Sequence, residues 1–169
     1  MALTKTSVKA NTAAPPRWPE SVDSGLAWVD YDIPADEFLV YFGGRPVPAI
    51  SSSLDNAPGF EDTAIMIGLD ADGEETGEIV GVQVIPMLLG AVQDQPSWAV
   101  LTWAAMAGDF GTELLRERLP GFLDAIHDAF DHYWIPAPPI EEQLAAIERA
   151  RHEREAATAQ DRKKASPST

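Results

Sequence analysis

The chain has 169 residues, 45% of them hydrophobic, and 27 Asp and Glu against 12 Lys and Arg give it a formal net charge of −15. That length suits one domain with additions, and the apolar share is enough for a packed core. There is no cysteine, which excludes disulfides, Cys-ligated zinc, iron–sulfur clusters and thiol catalysis, and so strong an acidity works against direct nucleic-acid binding.

The charge is unevenly spread. Residues 1–19 hold Lys5, Lys9 and Arg17 and no acid, whereas residues 20–94 hold fifteen acids and the single base Arg45. A field of this sign favours solubility and a basic protein partner. The stretches 1–23 (with PPRWP near their end) are rich in Ala, Thr, Ser and Pro and show no hydrophobic period. They are expected to form a disordered arm, with PPRWP read as linker in preference to a ligand for an aromatic groove.

An α+β domain is expected over 24–134, with a β module over 24–90 and helices over 95–134. Leu26–Tyr31 and Glu37–Phe42 read as two strands around the turn Asp32–Asp36. In the second strand Phe38, Val40 and Phe42 point one way and Leu39 and Tyr41 the other, the pattern of a strand covered on both faces. Val47–Ser51 reads as a short third strand and Ser52–Glu61 as loop. Thr63–Leu69 and Glu78–Ile85 follow as a hairpin around Asp70–Gly77, with Val80, Val82 and Val84 expected on one face.

After Pro86 the period turns helical. Trp98, Leu101 and Ala105 start one helix, although a strand over 98–103 fits the same residues. Leu115, Leu119, Phe122, Ile126, Phe130 and Tyr133 then keep helical phase across Pro120-Gly121, where a kink or restart is expected. A Pro-rich spacer at 135–139 precedes a charged helix over 140–164 and a disordered tail at 165–169. That helix has the narrow stripe Ile140, Leu144 and Ile147. The apolar runs 87–92 and 98–107 are too short to span a bilayer, and the N-terminus lacks the apolar core of a secretory signal, so a soluble, cytoplasmic protein without membrane contact is expected.

Few residues group in a way that suggests chemistry. The Asp70-Ala-Asp72-Gly-Glu74-Glu75 run has its glycine at position four, not the position six of a calcium loop, so it reads as a solvated hairpin loop. Asp124, Asp128 and His132 stand at i, i+4 and i+8 and would put two carboxylates and an imidazole on one helix face. A metal site needs a further ligand from another element, and the polar side of an amphipathic helix is the simpler reading. His127 is expected to be packed or at the surface, near Leu123, Phe130 and Trp134. Ser51, Ser52 and Ser53 lack the flanking glycines of a nucleophile elbow, and no phosphate-cradling glycine loop occurs. No cofactor is expected.

Tyr31-Asp32-Ile-Pro-Ala35-Asp36-Glu-Phe38-Leu-Val40-Tyr-Phe42, then Leu69-Asp70-Ala-Asp72-Gly73 and Ile79-Val80-Gly81-Val82-Gln83-Val84-Ile85, carry a resemblance. Over about residues 28–87 the chain resembles the prokaryotic family called domain of unknown function 2283. It departs in a longer central loop and in Glu75–Gly77, which lengthens the last turn. The resemblance implies a compact β module and a binding role, since some members are small acidic proteins suspected of being antitoxin-like partners of basic toxins. It implies no functional residue.

The expected fold is thus α+β: a small, mainly antiparallel sheet covered on one face by helices, plus an exposed C-terminal helix. The expected function is a non-enzymatic acidic module for a basic protein partner or self-association, presenting Asp30, Asp32, Asp36, Glu37, Asp70, Asp72, Glu74 and Glu75. The alternatives are a metal-dependent enzyme built on the Asp124–His132 face and a structural subunit of an oligomer.

Overall fold

The computed structural model describes residues 14–107, 109–136 and 138–165, the side chains of residues 109–111 excepted. Five strands, β1 (Trp28–Asp32), β2 (Glu37–Tyr41), β3 (Ala49–Ser53), β4 (Thr63–Leu69) and β5 (Glu75–Val84), form one sheet in the order β1-β2-β5-β4-β3, with every neighbouring pair antiparallel. A π-type turn at Met87–Ala91 runs into α1 (Val92–Asp94), and a 3₁₀ turn at Pro96–Trp98 opens α2 (Ala99–Met106). Two long helices follow, α3 (Asp109–Tyr133) and α4 (Ile140–Ala165). The chain divides into two units, 1–135 and 136–169.

Register explains which side chains meet the helices. Val29, Val40, Val82 and Ile65 lie in one cross-strand row, and Tyr31, Phe38, Val84 and Thr63 in the next. Phe38, Val40, Ile65, Val82 and Val84 are fully buried against Leu101, Leu119, Phe122 and Ile126 of α2 and α3. Phe122 is the junction, edge-on to Phe38 at 5.5 Å and to Trp98 at 4.8 Å. Such aromatic contacts add to plain burial.

One expected alternation fails. Met66 pairs with Gly81, but Ile67 pairs with Ile79, so Val80 is an extra residue in β5. The bulge reverses the side-chain alternation: Ile79 enters the core and Val80 is only half-buried. The bulged strand also begins at Glu75, three residues earlier than the alternation suggested, which shortens the hairpin loop.

Three further expectations are corrected. The strand alternative for 98–103 gives way to helix, because Trp98, Leu101 and Ala104 bury one side at helical spacing. Of the kink or restart expected at Pro120-Gly121, the restart is overturned: α3 runs through it, its stripe buried on both sides of the proline. The arm is not wholly loose. Residues 1–13 lie outside the described residues, but Arg17 pairs in parallel with Glu78 and exchanges backbone bonds with Gly77 and Ile79 at 2.8 and 2.9 Å. Beyond Gly81 the β2 partner has ended, and Arg17 satisfies the backbone of β5 that β2 leaves open. Trp18 then stacks on His127 at 4.6 Å and 7°, and leans on Phe42 and Phe130.

The second unit is α4. Every one of its residues is exposed, including the stripe residues Ile140, Leu144 and Ile147, and its first turn carries Glu141 and Glu142 while its last carries Arg162, Lys163 and Lys164. That charge order suits the helix dipole. No helix among the described residues is long and apolar enough to cross a membrane.

Candidate functional site

The helices cover one face of the sheet. On the other face the side chains of β1, β2, β5, β4 and β3 form rows of their own. Trp28, Tyr41, Gly81, Met66 and Ser51 make one row, and Asp30, Leu39, Gln83, Ala64 and Ser53 the next. Trp28 and Tyr41 meet edge to face at 5.7 Å. Met66 lies almost fully buried over Gly81, where a Cβ would stand 2.6 Å from the Met66 methyl and 2.2 Å from the Val40 carbonyl oxygen. Only glycine admits that approach. A half-buried apolar centre of Trp28, Leu39 and Tyr41 results, in a face that the helices leave open, while Met66 itself is covered.

Polar groups border it. Ser51 donates to Gln83 Oε1 at 2.5 Å, and Gln83 donates in turn to a Glu37 carboxylate oxygen. Asp30 and Asp32 on β1 are exposed, and Asp32 accepts from the Ala35 N–H at 3.4 Å. Asp30, Asp32 and Glu37 therefore stand together at the β1–β2 end of this face.

Asp36 does not join them. It sits at φ 52°, and its two carboxylate oxygens accept the Leu88 and Leu89 N–H groups at 2.9 Å each, while its backbone oxygen accepts from Met87 at 2.8 Å. The side chain caps the turn after β5 and ties the β1–β2 loop to it. The Tyr31 hydroxyl adds a bond of 2.7 Å. Burial opposes ionisation of Asp36, but the bonds from Leu88, Leu89, Tyr31 and Met87 outweigh it and hold the carboxyl below its ordinary range. Burial, that same bond and the Asp36 charge push the Tyr31 hydroxyl up to about 12. The reading of Asp36 as a partner-facing acid is corrected, since its oxygens are already engaged.

Asp70, Asp72, Glu74 and Glu75 lie elsewhere. Asp70 Oδ1 accepts from the Asp72 and Glu74 N–H groups at 2.9 and 3.0 Å, which closes the hairpin loop on itself, and Gly73 takes a positive φ of 81°. Glu75 pairs with Leu69 and Val84 with Thr63, six β4 residues away, and Glu37 lies just past Val84, so the two acidic groups stand at least about 20 Å apart by strand rise. Acids that are near neighbours in composition form two poles, not one patch.

The Asp124, Asp128 and His132 face is exposed, and among the described residues no group of three metal-ligating side chains comes together. His132 pairs with Asp128 at 3.4 Å, and its Nδ1 donates to the Asp128 carbonyl oxygen at 2.8 Å, which together with the Asp128 charge raises its pKa. His127 pairs with Asp131 at 3.4 Å and spends its ring face on Trp18. The sequence reading missed the Trp18 stack; its signal was a lone tryptophan in an arm otherwise made of small residues and proline. It also missed Met66 as part of the open face, where the small neighbours Ala64, Gly68 and Gly81 were the sign of a close approach. No family model, curated protein or solved structure matches the chain.

Proposed function

We propose that the chain is a non-enzymatic interaction module that docks a basic protein on the open face of its sheet. The observation that carries this reading is the arrangement there: a half-buried apolar centre of Trp28, Leu39 and Tyr41 with Asp30, Asp32 and Glu37 at its border. Recognition surfaces combine such a centre with a charged rim, which steers encounter and selects partners. Unit 1 supports the steering term, since it holds 21 Asp and Glu against six Lys and Arg and so carries the whole net charge of −15. The antitoxin-like role implied by the resemblance to domain of unknown function 2283 agrees with this reading, as does a cytoplasmic location.

The test is affinity capture on the immobilised full-length chain from native lysate, with partners identified by mass spectrometry and then purified. The reading expects a basic partner whose affinity falls at least about tenfold between low and physiological salt, and again in the Asp30→Asn/Asp32→Asn/Glu37→Gln variant. A partner that is insensitive to both changes would sink it.

A further inference from the structure

The last two turns of α3 carry side chains that the open face does not use. His127, Phe130, Asp131 and Trp134 recur at i, i+3, i+4 and i+7 and so share one side of the chain there. Trp134 follows the end of α3 with its N–H still bonded to the Phe130 carbonyl at 3.1 Å, and its indole Nε1–H donates to Ser52 Oγ of β3 at 3.1 Å. Trp18 arrives from the arm, held by the Arg17 backbone bonds to β5. Three rings therefore reach one place from three separately anchored segments.

Together they line a cleft of about 540 Å³, within the size range of small-ligand sites. Phe130 links the two indoles, its ring centre 6.4 Å from that of Trp18 and 5.6 Å from that of Trp134. Trp18 spends one face on His127 and lines the cleft with the rest of its ring. Asp131 lines it too: His127 Nε2 approaches Oδ2 at 3.4 Å, and among the described residues nothing bonds to Oδ1. Arg17, at the rim, has its guanidinium on Glu78 Oε1 at 3.2 Å.

Aromatic rings and a carboxylate define what such a cleft takes. Ring faces carry negative potential and attract cations, and a weakly hydrated alkylated ammonium leaves water for them more readily than a compact primary one. An anionic ligand would meet Asp131 and the acids of unit 1, whose net charge is −15. We infer that the cleft binds an organic cation of the methylated ammonium class, its methyl groups against Trp18, Phe130 and Trp134 and its charge beside Asp131. Pro16 is buried and fixes the backbone just before Trp18, so that wall stands in place before a ligand arrives. None of Asp30, Asp32 and Glu37 lines the cleft, and the inference therefore stands apart from the proposed function.

The experiment titrates the full-length chain with choline and, in parallel, with its neutral isostere 3,3-dimethylbutan-1-ol, read by calorimetry and by the indole N–H resonances. Choline binding should saturate, shift the Trp18 and Trp134 resonances, and exceed that of the isostere by at least about tenfold, because the two differ in charge and hardly in shape. Asp131→Asn and Trp18→Leu should each weaken choline binding by about five- to tenfold, while Asp30→Asn/Asp32→Asn/Glu37→Gln leaves it nearly unchanged. Asp131 is exposed, so Asp131→Asn keeps the fold even where Trp18→Leu loosens it. A peptide bearing trimethyllysine distinguishes the source: tighter binding than choline assigns the site to a protein side chain, and weaker binding to a free small molecule. Equal affinity for choline and the isostere, no saturation by either choline or the peptide, or an affinity that neither variant of the cleft changes, would overturn the inference.

Discussion

Helices α3 and α4 are nearly equal in length, 25 and 26 residues, and end in opposite situations. In α3 the apolar residues recur at every turn from Leu115 to Phe130, and Leu119 and Ile126 are 0% exposed. In α4 the stripe stops after three residues, and Ile140, Leu144 and Ile147 are 60, 57 and 64% exposed. Helix propensity does not separate them, for α3 even contains Pro120 and Gly121 while α4 is rich in Ala, Glu and Arg. The length of the stripe does. A sustained stripe recruits a partner surface that outweighs a poor local sequence, and a short one leaves even a good helix former in solvent.

The contrast breaks most sharply at Phe122. Phe122→Ala removes the ring that joins Phe38 to Trp98 and should cost about 4 kcal/mol in chemical denaturation. A loss below about 1 kcal/mol would mean that α3 is held by something other than its stripe.

Trp18 probes how far the packing around α3 extends. Trp18→Ala takes away the stack on His127 and the contacts with Phe42 and Phe130, and should lower stability by about 2 kcal/mol. Deleting residues 1–13 is a different cut and leaves this contact intact. An unchanged melting temperature in Trp18→Ala would return residues 14–23 to the status of a loose arm.

High pH tests the sheet under α3 through Tyr31. Its pKa is raised from 10.0 to about 12 in the folded chain, so the stability linked to it is fully present below pH 10 and is lost as pH rises through about 12. The melting temperature of the wild type should fall over that interval more than that of Tyr31→Phe, which has no proton to lose. Equal falls would show that Tyr31 and Asp36 do not hold the β1–β2 loop to the turn after β5.

The smallest effect belongs to α4. Leu144→Ala changes a side chain that is already exposed and should alter stability by no more than about 0.5 kcal/mol. A larger loss would reveal a partner surface over α4 and remove the distinction between the two helices.

Local pattern was enough for much of this architecture. Alternation placed β2 and β4 within a residue of their observed ends, and helical spacing marked α3 and the start of α4, because side-chain period follows directly from backbone geometry. Charge counting placed most of the acidity in residues 20–94, inside the first unit. The candidate site was only partly legible. Asp30, Asp32 and Glu37 share one end of the open face, but Asp36, grouped with them in the sequence, caps Leu88 and Leu89 from 52 and 53 residues away. The open face itself needed the strand order β1-β2-β5-β4-β3, which brings Tyr41 beside Gly81 and Gly81 beside Met66.

What the amino-acid order determined by itself is therefore periodic and local: the strands, the helices, the net charge and the absence of thiol chemistry. Tertiary structure alone decided which acids share a surface, that Val80 leaves the core row through a bulge, and that Trp18 finds His127 more than one hundred residues along the chain. The physical reason is that strand pairing and register are long-range choices, made by how the sheet and helices bury their apolar rows together, and a single bulged residue changes the face of every side chain beyond it.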